Sequence, residues 1–522
     1  MPRSAGRSSA LVAAGILLSR IAGFIRQRVF SYYFGLGYVA DALGASFRIP
    51  NLLQNLFGEG VLSASFIPVY ARLLGQGRER DAGKVAGAVA GLLGLAVALI
   101  VALGVGATPL VVSVLAPGFT GDKRLLTITL VRILFPATGI LVFSAWCLGI
   151  LNSHRKFFLS YAAPVVWNAA IIAAALLGGR RQAGAGRLAV LIAWGAVAGS
   201  VLQVLVQLPV VLGLLRGLRL TASTADPEVR TVVRNFWPAL VGRGVNQLSA
   251  FVDTVISSLL GDDPVGALAN AQLIYTLPVS LFGMSVSAAA LPEMSAAQGS
   301  EAERHTALRT QLQDGLHRIA YFIVPCAMAF LALGQVLVGA LFQTGRFRAV
   351  DSRYVWAILA GSAVGLLAST LSRLSASTFY ALGDTRTPLR YAVVRVALTT
   401  VLGFLCSVPL PALLGIEIKW GAVGLTASAG FSAWVEFALL RRGLAARIGA
   451  THFAPGYLAK LWGSAAVAGA AAFAVWRGVG SLGPVTTGVV VLVPYALLYG
   501  GLTLALRIPA AQGVVAWRPR RG

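Results

Sequence analysis

About fourteen apolar runs, most of them roughly 20 residues or longer, fill this chain almost from end to end. They fall near 10–34, 38–72, 84–115, 125–152, 156–178, 187–216 and 232–260, and continue near 264–296, 313–343, 354–382, 387–412, 420–441, 458–477 and 483–507. A helix of that length crosses a hydrocarbon core of about 30 Å. Composition agrees: 57% of the 522 residues are hydrophobic and 12% are charged, with a mean hydropathy of +0.79. A soluble chain is about a quarter charged, and so much apolar surface cannot be hidden in a water-soluble core. The fold class is therefore an all-α integral membrane protein with about 14 transmembrane helices. Several runs exceed one bilayer thickness, so those helices tilt, bend or project.

The formal net charge is +25. In a soluble protein this would suggest nucleic acid. Here it reads as cationic loops, and no aromatic-plus-basic recognition motif supports a nucleic-acid partner. With the N-terminus inside, basic residues favour the inner loops by about two to one, which places both termini in the cytoplasm. The loop from Arg180 to Arg187 runs against that bias. The short basic start (Arg3, Arg7) followed by a long apolar segment reads as a retained first helix. Cys147, Cys326 and Cys406 are single and far apart, with no metal spacing.

The chain also resembles itself. The stretch LNSHRKFFLSYAAPV from Leu151 echoes ALGDTRTPLRYAVVR from Ala381, and LFGEGVLSASFIP from Leu56 echoes LFGMSVSAAALP from Leu281. An offset of roughly 225–230 residues covers six helices, an even number, so both copies point the same way. This predicts two six-helix lobes, 1–222 and 223–447, related by a pseudo-twofold axis along the membrane normal. Residues 448–522 would add two C-terminal helices and a basic tail.

Charges inside spans carry the functional signal, because a mid-membrane Arg, Lys or Asp costs at least about 2.5–3.5 kcal/mol on insertion scales. On an ideal helix Asp41, Arg48, Asn55 and Glu59 lie within about 40° of one another, flanked by Asn51 and Ser63. Pro50 should bend this helix. A self-satisfied ion-pair ladder and the wall of a polar cavity both fit the stripe. The cavity is preferred, since neutral packing would serve mere structure at lower cost. The first span carries Arg20, Arg26 and Arg28 without an acid nearby, and Gly23 could kink it to bring them together. Arg28 can also snorkel, whereas Arg20 lies roughly 15 Å from the inner edge by helix rise. In the seventh span Arg243, Asn246, Gln247, Asp253 and Ser257 share about 120° of one face. Arg395 and Glu436 lie near span ends and should snorkel. Arg132 and Arg373 lie deeper, with structure and function equally open. The cavity wall is basic on balance, and the planar fork of Arg suits phosphate. The expected substrate is an anionic phosphate or diphosphate. The four histidines do not cluster and no phosphate-binding loop motif is present. No catalysis and no cofactor are expected, and energy would come from a coupling ion, the membrane potential or the substrate gradient.

The segments SRIAGFIRQRVFSYYFG (Ser19 to Gly35), ADALGASFRIPNLLQNLFGEGVLSASFIPVYA (Ala40 to Ala71), LPVSLFGMSVSAAALPEMS (Leu277 to Ser295) and FYALGDTRTPL (Phe379 to Leu389) resemble the MurJ/MviN lipid II flippases of the MOP exporter superfamily. The resemblance spans essentially the whole chain. It implies a cationic central cavity with alternating access and a lateral groove for a lipid tail, formed by the last two helices. The implied substrate is lipid II, an undecaprenyl-diphosphate disaccharide-pentapeptide moved to the outer leaflet of the bacterial inner membrane. Membrane lipids and cell-wall synthesis proteins are the implied partners. Residues important in that family fall on Ser19, Arg20, Arg26, Asp41, Asn51 and Glu59. Two arginines common in it are replaced here by Gln54 and Leu273, and Arg243 with Arg48 is the expected compensation. In the expected mechanism Arg20, Arg26 and Arg48 receive the diphosphate, while Asp41 and Glu59 hold the empty arginines apart. Alternative readings are a flippase for another lipid-linked oligosaccharide and an ion-coupled drug exporter of the same superfamily. A further one is a membrane-embedded transferase or a cell-wall scaffold. The only acidic cluster such a transferase could use, Asp262–Asp263, reads as a turn.

Overall fold

The computed structural model describes residues 3–53, 61–182, 184–287, 290, 294, 300–479 and 482–516. Among these residues there are helices and connections and no strand. Contacts group the chain into two compact units, Met1–Gly266 and Ala267–Gly522.

The first unit holds α1 (Arg3–Phe34), α2 (Tyr38–Leu53), α3 (Ile67–Gly75), α4 (Glu79–Gly106), α5 (Thr108–Leu115), α6 (Gly121–Ser153), α7 (Phe157–Arg180), α8 (Ala185–Leu214) and α9 (Pro227–Ser258). One core packs Phe66, Tyr70 and Leu73 against Val85, Val89, Trp146 and Ile150. A second packs Phe34, Leu43 and Phe47 against Trp167, Ile171 and Ile192. The expected seventh span, α9, belongs to this first unit. Arg72 pairs with Glu228 near its start, and the amide of Gly118 donates to Ser258 Oγ at 3.3 Å at its end.

The connection ahead of α9 explains a glycine pattern in α4. Gly83, Gly87 and Gly91 repeat every four residues and so share one face. A Cβ on them would lie 2.0 Å from the carbonyl oxygen of Arg216, 2.2 Å from that of Arg219 and 2.3 Å from that of Thr221. The irregular segment 215–226 therefore lies directly on the helix backbone, an approach only glycine permits. An Arg216–Glu79 ion pair of 2.9 Å fastens its beginning.

The second unit contains most of α10 (Pro264–Pro278), then a π-helical turn Val279–Met284, α11 (Glu301–Ala332), α12 (Gly334–Phe342), α13 (Ala349–Ala381), α14 (Arg386–Ser407), α15 (Gly421–Ile448), α16 (Tyr457–Gly478), α17 (Pro484–Ala505) and α18 (Pro509–Ala516). Helices α13 and α15 cross at paired glycines, where a Cβ on Gly365 would meet Gly430 Cα at 2.3 Å. Pro325 lies inside α11. Lacking an N–H, it leaves the carbonyl of Tyr321 without its helical donor. The Tyr499 hydroxyl of α17 donates to that carbonyl at 2.8 Å, and the Tyr495 hydroxyl donates to the carbonyl of Pro325 at 2.7 Å. A bilayer supplies no water for such groups, so the last helices dock where α11 needs donors.

Eleven helices among the described residues are long and apolar enough to cross a membrane, and each coincides with one of the expected spans. The three remaining expected spans, near 10–34, 38–72 and 232–260, correspond to α1, to α2 with α3, and to α9. Each of these three includes residues outside those whose side chains are described.

Candidate functional site

Arg26, half-buried on α1, is in no ion pair with a carboxylate among the described residues. Its guanidinium carbon instead lies 5.1 Å from the ring centre of Trp167, 5.8 Å from that of Phe47 and 5.9 Å from that of Phe30. Its buried Nε makes no hydrogen bond among the described residues. Trp167 is itself fixed, its indole N–H donating to the carbonyl of Ala196 at 3.1 Å. Three aromatic faces stabilise the cation without neutralising it. Ring faces occupy the flat face of a guanidinium and not the N–H donors at its edge. Trp167 and Phe47 escaped the sequence reading because an aromatic residue inside an apolar run looks like core.

Arg20 is exposed, Ser19 half-buried and Asn51 exposed. Arg48 on α2 and Asp253 on α9 are both half-buried. Glu59, with Gln54 and Asn55, lies outside the described residues, as does the side chain of Arg243, whose backbone is part of α9. Leu273 is half-buried in α10.

Asp41 is fully buried, and its surroundings differ from the expected ones. Its Oδ2 accepts from Lys123 Nζ at 2.6 Å and from the amide of Asp263 at 3.0 Å, and its Oδ1 accepts from the amide of Gly266 at 2.7 Å. Those amides stand at the start of α10, where a helix has N–H groups without internal partners. Lys123 also donates to the carbonyl of Gly261 and to Asp262 Oδ1, both at 3.0 Å, and sits 4.2 Å from the centre of the Phe119 ring. Asp41 therefore does not hold Arg48 away from other arginines. Both of its oxygens are used in tying α2, the start of α6 and the 259–263 turn together. The Asp262–Asp263 pair is a turn, as expected, with Asp263 at a positive φ of 87°. Lys123 escaped the sequence reading because it stands just before the run 125–152, where an interfacial lysine is ordinary.

In the second unit Arg395 Nη1 lies 3.1 Å from Glu436 Oε2, and Glu436 is 8% exposed. The expected snorkelling of both residues gives way to a cross-helix ion pair, because α14 and α15 set the two charges side by side. Arg373 is close enough to feel Glu436 as well. Asp384, in the loop between α13 and α14, caps α14. Its Oδ1 accepts from the amides of Arg386 at 2.9 Å and Thr387 at 3.0 Å, and its Oδ2 from Thr387 Oγ1 at 2.6 Å. Arg447 Nη2 pairs with the same carboxylate at 2.6 Å. The Thr387 hydroxyl and amide, with Arg447, hold Asp384 well below the usual carboxylate range.

The sequence matches the family described as Lipid II flippase MurJ over residues 30–497. The Burkholderia cenocepacia protein named Lipid II flippase MurJ is 33% identical over 463 residues, covering 87% of this chain and 86% of that protein. The Haemophilus influenzae protein named Probable lipid II flippase MurJ is 30% identical over 444 residues, covering 82% and 84%. A solved structure titled Lipid II flippase MurJ, inward closed conformation, shares the fold with a TM-score of 0.77 at 20% identity, covering 95% of this chain and all of that one. An inward-facing multidrug resistance MATE transporter of the MOP superfamily shares it with a TM-score of 0.65 at 18% identity, covering 81% and 95%. With the family match running through nearly the whole chain, this multi-pass membrane protein belongs to the lipid II flippase MurJ family.

Proposed function

We propose that the chain carries lipid II from the inner to the outer leaflet of the bacterial inner membrane, with both termini cytoplasmic. The observation that supports this most is the family match, which extends through both compact units. Under this reading the diphosphate meets Arg20, Arg26 and Arg48, with Ser19 and Asn51 alongside and Arg243 supplying charge in place of the arginines missing at Gln54 and Leu273. Glu59 balances that charge, and Asp41 shapes the wall through Lys123. The parts that change access are the lobes 1–222 and 223–447, with 448–522 guiding the lipid tail. An inside-negative potential favours outward movement of an anion by about 2.3 kcal/mol per charge per 100 mV. A coupling ion is the other source of energy, and cell-wall synthesis proteins are the partners to be sought.

The test has two arms. In a strain depleted of its own lipid II flippase, the wild type should restore growth, and Arg20→Ala and Arg26→Ala should not, at equal membrane levels. In proteoliposomes, labelled lipid II should move faster than a lipid-linked oligosaccharide lacking the pentapeptide, and an imposed potential should change the rate. A wild type that reaches the membrane yet neither rescues growth nor moves lipid II would sink the reading.

A further inference from the structure

Arg373 is exposed on α13, although α13 is the most enclosed of the eleven candidate spans found among the described residues. It stands eight residues before Ala381, about 12 Å of helix rise inside the end of the span. A charge at such depth is kept where it meets a polar path or a partner. Its guanidinium makes no ion pair and no hydrogen bond among the described residues. Ser377 and Tyr380 follow at four and seven positions and share its face. A face that carries a cation and two hydroxyls suits water and polar ligands rather than lipid chains. It carries no acid: Asp384, just beyond the helix, is committed to the start of α14 and to Arg447.

Two neighbouring helices frame this face. On one side the Tyr275 hydroxyl of α10 lies 2.7 Å from Ser369 Oγ, one turn before Arg373. The same helix α10 carries Leu273, where an arginine common in the family is missing. On the other side α13 and α15 run in register. A Cβ on Gly365 would lie 2.3 Å from Gly430 Cα, and a Cβ on Gly443 would lie 3.1 Å from the Phe379 ring. Fourteen residues of α13 (365 to 379) thus match thirteen of α15 (430 to 443), which sets Glu436 level with the turn that carries Arg373. Glu436 is already paired with Arg395. Two arginines and one glutamate leave one net positive charge in this place.

Resting on the reading of the substrate as lipid II, we propose that Arg373 is a further substrate-binding residue and takes a carboxylate of the substrate's pentapeptide. The guanidinium fork meets the two oxygens of one carboxylate side by side. Charge decides between the anionic groups of the substrate. A diphosphate bears at least two negative charges and calls for several cations, which the first unit offers at Arg20, Arg26 and Arg48. Around Arg373 the net charge is one, and a single carboxylate balances it. Arg395 and Glu436 satisfy each other, so Arg373 is the cation left to bind.

The experiment uses proteoliposomes of the full-length chain, with labelled lipid II and with the same lipid whose peptide carboxylates are converted to amides. The wild type should move lipid II about tenfold faster than the amidated lipid, the worth of one charge-assisted contact. Arg373→Gln should slow lipid II about tenfold and leave the rate of the amidated lipid unchanged. Arg373→Lys keeps the charge without the fork and should fall between. Arg353→Gln removes an exposed cation from the far end of the same helix and should move both lipids as the wild type does. Equal rates for the two lipids in the wild type would overturn the proposal, whether or not Arg373→Gln folds. So would an Arg373→Gln that slows both lipids alike, or neither. These outcomes leave the lipid II reading standing, whereas a wild type that moves neither lipid sinks that reading and the proposal with it.

Discussion

Lys123 Nζ lies 2.6 Å from Asp41 Oδ2, joining the start of α6 to the first turn of α2 in a place where both side chains are buried. The lysine is shared with Asp262 Oδ1 and the carbonyl of Gly261, so one cation organises three chain segments. Removing one member of such a pair leaves the other charge buried and alone. Lys123→Met should therefore lower stability by roughly 3–5 kcal/mol, seen as a fall in thermal midpoint in detergent. The double variant Asp41→Asn with Lys123→Met should recover part of the loss. Strictly additive losses would show that the two charges do not depend on each other.

Tyr499→Phe removes the hydroxyl that donates to the carbonyl Pro325 leaves open. A loss of about 1–2 kcal/mol is expected for a buried unsatisfied acceptor. Pro325→Ala supplies an N–H to that carbonyl from within α11, so Tyr499→Phe should cost less in that background. The check is a double-mutant cycle on thermal midpoints, and equal costs in the two backgrounds would contradict the account.

Gly87→Ala places a methyl group where the carbonyl oxygen of Arg219 lies 2.2 Å away. The segment 215–226 must then lift, at a cost of about 1–3 kcal/mol for overpacking. Gly106→Ala meets nothing within 4 Å at the end of the same helix and should leave stability nearly unchanged. Limited proteolysis at Arg216 and Arg219 should be faster in Gly87→Ala alone. Equal cleavage in both variants would mean that the glycine face does not hold the segment.

Asp384 should give stability a particular pH dependence. Its folded value lies below the ordinary carboxylate value of 3.8, so its contribution is complete above that value and disappears as pH falls through the lower folded one. The thermal midpoint gap between the wild type and Asp384→Ala should be constant from about pH 7 to 5 and close progressively below about 4. Asp384→Asn keeps a capping oxygen but loses the attraction of Arg447 and should fall between them. A gap that widens on acidification would exclude the assignment.

Trp167→Ala should weaken transport more than its packing loss explains, because Trp167 is the ring nearest the Arg26 guanidinium. Arg26→Lys keeps the charge but loses the flat face that stacks on the rings, and it should rescue growth poorly. Growth rescue at matched membrane levels is the measurement. Full rescue by Arg26→Lys would show that charge alone suffices there.

Membrane residence, the long helices and the arginines of α1 and α2 were all legible in the chain itself. Length and apolarity state a bilayer requirement directly, and an arginine inside an apolar run stands out because its insertion is costly. The partners of those charges were not legible. Helical projection set Asp41 beside Arg48, but a projection holds one helix only, and Lys123 comes from 82 positions further on. Arg395 and Glu436 looked like two snorkelling ends until α14 and α15 stood together.

By itself the sequence determined that the chain crosses a membrane many times, that it carries buried cations, and to which family it belongs. These follow from residue type and local spacing. The tertiary structure alone decided that Arg26 lies against three aromatic rings, and that Asp41 is satisfied by Lys123 and the start of a helix. It also decided that a glycine face of α4 carries a connecting segment. The physical reason is that a buried charge or an open carbonyl must find a partner. Which partner it finds depends on the positions of whole helices, which no local pattern records.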